Sequence, residues 1–158
     1  MANYLSSTGR TSPLPGNIIT ARFLGYAGLI PFIVFSIASW IPLPTLSDAI
    51  SILIAYAAVI LTFIGAVHWG IVMSRNDDQQ SIHLIASVIP SLIGWSALLM
   101  TQTTGLLILL SGFIIQIFYD WSVDEKLDLP EWYVPMRIQL TLVVTICLTA
   151  TLMAVGAS

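Results

Sequence analysis

The side chains in this chain that could carry chemistry are few, and they gather toward one end of long apolar stretches. Gly112, Gln116 and Asp120 recur every four residues, so on a helix they rise along one face about 40° apart per step. Gly112 lets a neighbour approach closely, more so than Gly105 at the start of the same stretch, and the two polar groups meet whatever approaches. Gly65 and His68 share a face of another apolar stretch, with Trp69 and Gly70 completing a small, close-packing end. Arg137 opens the stretch after Asp120, which makes an Asp120–Arg137 ion pair the simplest pairing. At a wetted interface such a pair contributes only on the order of 1 kcal/mol.

An ionisable group at mid-membrane costs at least about 2.5 kcal/mol, so it normally faces other helices and has a partner there. Two readings of His68, Trp69, Gln116, Asp120 and Arg137 follow. In one, His68 bonds Gln116 or Asp120 and the cluster locks helices together. In the other, it lines a pocket for a polar headgroup or a quinone ring. Haem is disfavoured because His68 sits about a turn or more deeper than His83, a poor match for facing axial ligands. No cofactor is expected. Spacings typical of nucleophile–base sets, paired glutamates or metal ligands are absent, which speaks against an enzyme.

The elements that position these groups follow from composition. Of 158 residues, 57% are hydrophobic and 8% charged, against about 25% charged in a soluble domain. The apolar residues fall in blocks, so the solvent is lipid. The expected fold is an all-α integral membrane protein, a five-helix transmembrane bundle. Residues 1–17 form a mobile tail, and 18–158 form the membrane domain, with spans near 23–41, 50–72, 84–100, 105–121 and 138–155. Each is long enough to cross about 30 Å of hydrocarbon. Arg22, the run 23–35 and Ser36-Ile37-Ala38 also fit a weak signal-peptide pattern, but Pro31 and Trp40 favour a retained helix. Pro31 and Pro90 lie inside spans, where each frees a carbonyl one turn earlier and kinks the helix.

All five basic residues, Arg10, Arg22, Arg75, Lys126 and Arg137, fall on one side of this arrangement. That puts the N-terminus inside and the C-terminus outside, with the polar cluster in the cytoplasmic half. No basic run could neutralise a phosphate backbone, which excludes nucleic acid as a partner. The single cysteine, Cys147, is a small apolar filler.

Several local motifs occur in order. They are Gly25-Tyr26-Ala27-Gly28-Leu29-Ile30-Pro31-Phe32, Phe63-Ile64-Gly65-Ala66-Val67-His68-Trp69-Gly70, and Val88-Ile89-Pro90-Ser91-Leu92-Ile93-Gly94-Trp95. Gly112-Phe113 with Gln116 and Asp120, then Trp132-Tyr133, Arg137 and Leu140-Thr141, complete the series. Over about residues 22–142 the chain resembles an uncharacterised membrane family, a domain of unknown function that includes human transmembrane protein 69. The resemblance implies a multi-pass protein of the bacterial cytoplasmic (inner) membrane type and supplies no activity. It marks the same five polar residues, with Tyr26, Gly28, Pro31, Gly65, Gly70, Pro90, Trp95, Gly112 and Trp132 in support.

The function expected from these features is non-enzymatic: binding of a lipid, a quinone or a partner membrane subunit through the polar cluster. The alternative is a small proton-linked transporter that uses His68 and Asp120 as its relay. Such a carrier needs polar groups continuing into the outer half, where Thr62, Ser91 and Ser111 offer little.

Overall fold

The computed structural model describes residues 15–41, 48–74, 81–123 and 131–157. Among them the secondary structure is entirely helical: α1 (Pro15–Ala27), α2 (Ile30–Ala38), α3 (Ala49–Met73), α4 (Ser81–Leu98), α5 (Gln102–Val123) and α6 (Tyr133–Ala157). Five segments are long and apolar enough to span a bilayer, the first being Ile18–Ala38, made of α1 and α2 together. Residues 1–14 of the expected tail, the connections 42–47, 75–80 and 124–130, and with them Arg10, Arg75 and Lys126, lie outside the described residues. Helix α1 already begins at Pro15, a residue whose fixed φ suits the first helical position.

The break between α1 and α2 has a local cause. Pro31 sits in the first turn of α2 and has no N–H to continue the α1 ladder. The chain tightens instead, with the Leu29 amide donating to the Tyr26 carbonyl at 3.0 Å. The Tyr56 hydroxyl of α3 then donates to the Gly28 carbonyl at 3.0 Å. The sequence locates this break but not the hydroxyl that stabilises it. Helix α4, by contrast, runs through Pro90 without interruption.

Helix α3 is central and touches α2, α4 and α5. Its contact with α4 is backbone-close: a Cβ on Gly65 would overlap the Ser87 carbonyl, and one on Gly94 would lie 2.9 Å from the Ala58 carbonyl. Helix α5 meets α4 as tightly, since a Cβ on Gly105 would come within 2.7 Å of the Ala97 carbonyl. This reverses the expected order of the two α5 glycines. At Gly112 the obstacles are the Leu61 and Ile93 side chains, whereas Gly105 meets immovable backbone.

The core runs through Leu53, Leu61, Leu106, Leu109 and Leu148, with Phe32 and Phe113 edge-to-face at 6.1 Å. Outward faces carry the apolar residues that a lipid solvent accepts, among them Phe23, Trp40, Trp95 and Trp121. Helix α2 is tied to α6 by Ser36 Oγ, which donates to the Cys147 carbonyl at 3.0 Å. Helix α1 has only a slight contact with α6, and Tyr26 OH donates to Gln139 Oε1 at 2.5 Å across it.

Candidate functional site

Three of the five expected cluster residues, His68, Gln116 and Arg137, converge on the carboxylate of a fourth, Asp120. Asp120 of α5 is fully buried. Its Oδ1 accepts from Gln116 Nε2 at 2.9 Å, one turn earlier on the same helix. Its Oδ2 accepts from Arg137 Nε of α6 at 3.0 Å. His68 of α3, also fully buried, brings Nε2 to 3.3 Å from Oδ1, but without the alignment of a hydrogen bond. The four-residue spacing of Gln116 and Asp120 produces this directly, because it stacks the amide over the carboxylate.

His68 Nδ1 lies 3.3 Å from the Ile64 carbonyl. A carbonyl only accepts, so in a hydrogen bond at this contact Nδ1 is the donor, and Nε2 can donate toward Asp120 as well only when the ring carries both hydrogens. The Tyr119 ring packs edge-on against His68 at 5.3 Å, and its hydroxyl is hydrogen-bonded to His83 Nδ1 at 2.9 Å. Asp120 therefore joins α5 to α6, His68 of α3 packs against it, and Tyr119 joins α4 to α5.

The ion pair is not at a wetted interface. Arg137 is 7% exposed and Asp120 0%, so removing one partner strands a buried charge at a cost of about 3–5 kcal/mol. The approximately 1 kcal/mol expected from the sequence is corrected accordingly. Trp69 does not join the cluster. It is 45% exposed and faces outward, and a Cβ on Gly70 would meet nothing within 4 Å. The close-packing end expected from Trp69 and Gly70 is instead built one turn earlier, at Gly65. Trp95 likewise faces outward. No group of three His, Cys, Asp or Glu side chains among the described residues is arranged to hold a metal.

Beside the cluster, a cavity of about 780 Å³ lies among α1, α3 and α6, with Phe32 of α2 and Phe113 of α5 completing its lining. Its walls are aliphatic and aromatic, and Gly28, Trp132 and Arg137 reach it. So does Thr141, one turn beyond Arg137 on the same face of α6. Three buried polar atoms of these lining residues have no hydrogen-bond partner: Trp132 Nε1, Arg137 Nη2 and Thr141 Oγ1. Thr141 and Tyr56 are the site residues that sequence reasoning passed over. The four-residue step from Arg137 marks Thr141, whereas nothing in the local sequence distinguishes Tyr56 from a lipid-facing tyrosine.

The five spans and the buried charged cluster define a multi-pass helical membrane protein. The chain belongs to the family described as Protein of unknown function (DUF3429), whose profile matches residues 18–153. It is 30% identical over 136 residues to Transmembrane protein 69 of Xenopus tropicalis, covering 84% of this chain and 53% of that protein. It is 29% identical over 141 residues to the Mus musculus protein of the same name, covering 84% and 55%. The chain thus spans about half the length of these relatives. No solved structure matches it.

Proposed function

We propose that this membrane protein is a binding protein, which takes an amphiphile from the bilayer into the cavity among α1, α3 and α6. The observation that carries this reading is the cavity itself: about 780 Å³, apolar along its walls, with Arg137 at its polar end. Ligand sites generally combine mostly apolar walls with a few convergent polar groups in about 300–1,000 Å³. The polar end lies within five residues of the ends of α3, α5 and α6, at Met73, Val123 and Tyr133. The distribution of Arg and Lys in the sequence supports a cytoplasmic location for that end.

The transport alternative has one feature in its favour, the His68–Asp120 contact. Beyond it, however, the bundle core is closed by Leu53, Leu61, Leu109 and Leu148. Thr151, the buried hydroxyl farther along α6, donates to the Cys147 carbonyl of its own helix. That leucine layer offers a relay no polar group to continue through.

The test is to purify the protein in native-lipid nanodiscs and identify retained molecules by mass spectrometry, alongside Ile60→Trp, which fills the cavity from α3. The wild type should retain one amphiphile in stoichiometric amount, and the variant should lose it while still unfolding in one cooperative transition, at a temperature lowered by no more than the lost ligand accounts for. Identical lipid profiles for the two proteins overturn the reading.

A further inference from the structure

The first span is the least buried of the five, and its two halves differ. Helix α2 packs broadly on α3 and α6. Phe32 lies in the core, and Ser36 Oγ donates to the Cys147 carbonyl of α6 at 3.0 Å. Helix α1 packs on α6 more than on other helices, and only slightly there. No side chain of α1 from Ile18 to Ala27 is buried.

The contact that α1 does make is smooth. At Gly25 an added Cβ would lie 3.3 Å from Leu140 Cδ1 and 3.6 Å from Met136 Sδ, so a glycine meets two side-chain ends that can rotate. Tyr26 OH donates to Gln139 Oε1 at 2.5 Å, but both residues are exposed. In a membrane no hydrophobic force presses α1 onto α6, because lipid tails are as apolar as these side chains. Segments with few buried contacts open at low free-energy cost.

The junction has the chemistry of a pivot. Pro31 lacks the N–H that would bond the Ala27 carbonyl, so the helical ladder is interrupted between α1 and α2. The Tyr56 hydroxyl donates to the Gly28 carbonyl at 3.0 Å, which pins α1 at the end nearest the core. Hinges are a few element-terminal residues of this kind. The 13 residues of α1 make about 20 Å of helix, so about 15° of tilt carries the other end through about 5 Å.

The mouth of the cavity lies where such a tilt acts. Leu24 of α1 and Val59 and Phe63 of α3 line the cavity and are also exposed, so it opens sideways toward lipid between these two helices. We infer that α1 is a hinged side wall of the cavity. It turns about residues 28–31 on a fixed α2, and so widens and narrows an entrance from the lipid between Leu24 and the Val59–Phe63 face. The hinge stands on packing alone, whereas its service as an entrance rests on the proposed binding role of the cavity.

Spin-label distances measured by pulsed EPR in nanodiscs separate a hinged α1 from a fixed one. With Cys147→Ala as background, a label at Phe118→Cys on α5 is paired with Ile19→Cys on α1 or with Ile37→Cys on α2, all three being exposed positions. The Ile37 pair should give one narrow distance, and the Ile19 pair a broad or two-peaked distribution. Tyr26→Phe, which removes the bond to Gln139, should broaden the Ile19 distribution further. Pro31→Ala, which restores the missing N–H, should narrow it, and neither change should alter the Ile37 pair. Equally narrow distributions for both pairs overturn the hinge, as do equally broad ones, which would mean that the whole bundle flexes. An Ile19 distribution unmoved by Pro31→Ala overturns the pivot at residues 28–31. If α1 is fixed in a protein that retains an amphiphile, only the hinge fails; if α1 moves in a protein that retains none, only the entrance does.

Discussion

The two sides of α3 are built on opposite principles. Toward α4 and α5 it presents Ala58, Leu61, Gly65 and His68, and every one of them is buried. There the neighbours approach to backbone contact, and the buried Asp120 cluster bridges α3, α5 and α6. Toward α1 it presents Tyr56, Val59, Ile60, Phe63 and Val67 around an open cavity. Lipid tails are as apolar as leucine, so burying Val59 or Phe63 against another helix gains little in a membrane. Small residues and satisfied polar groups hold helices together there, and large aliphatic faces can remain open. The closed side therefore holds the bundle together, and the open side is the one on which the proposed binding role rests.

Variants on the two sides should separate accordingly. The largest effect is expected from Asp120→Ala, which strands the Arg137 charge and removes the acceptor of Gln116. It should lower stability by about 3–5 kcal/mol, read as thermal unfolding in nanodiscs. A loss below about 1 kcal/mol, the level of an exposed pair, would mean that water in the cavity solvates Arg137 and that the closed side does not depend on its ion pair.

Gly65→Ala comes next. Its methyl group meets the Ser87 carbonyl and the Pro90 ring, and overpacking of this kind costs about 1–3 kcal/mol. An unchanged melting temperature would show that α3 and α4 can slide apart freely. Within α5 the order is sharper than the sequence suggests. Gly105→Ala should cost on the order of 1 kcal/mol more than Gly112→Ala, because only Gly112 faces side chains that can rotate away. The reverse order, measured in parallel melts, would restore Gly112 as the tighter contact.

The smallest effect belongs to the open side. Tyr56→Phe removes the hydrogen bond to the Gly28 carbonyl at the α1–α2 break and should cost about 1 kcal/mol. Hydrogen exchange should rise at residues 24–30 while α4 and α5 stay protected. Exchange that rises equally in α5 would mean that α1 is not held independently of the closed side.

Most of the architecture was legible because lipid imposes severe limits on sequence. A backbone in hydrocarbon must satisfy its own hydrogen bonds, so long apolar blocks can only be helices, and a five-span protein reads directly from their number and length. The core of the polar cluster was legible for a related reason. A charge in that setting needs a partner, and Asp120 had Gln116 one turn away and Arg137 at the head of the next apolar stretch.

The sequence did not determine which way each interfacial residue points. Trp69 follows His68 directly, yet about 100° of helical turn separates them, which carries one into the cluster and the other into lipid. Gly105 and Gly112 are equivalent glycines until the course of α4 decides which one meets a carbonyl. The cavity, too, is invisible in any single segment, because it is the space that α1 leaves by breaking at Pro31 and resting on α6 rather than on α3. Local sequence determines which groups must be paired in a membrane, and only the packing of distant helices decides which of them meet, as Arg137 meets Asp120.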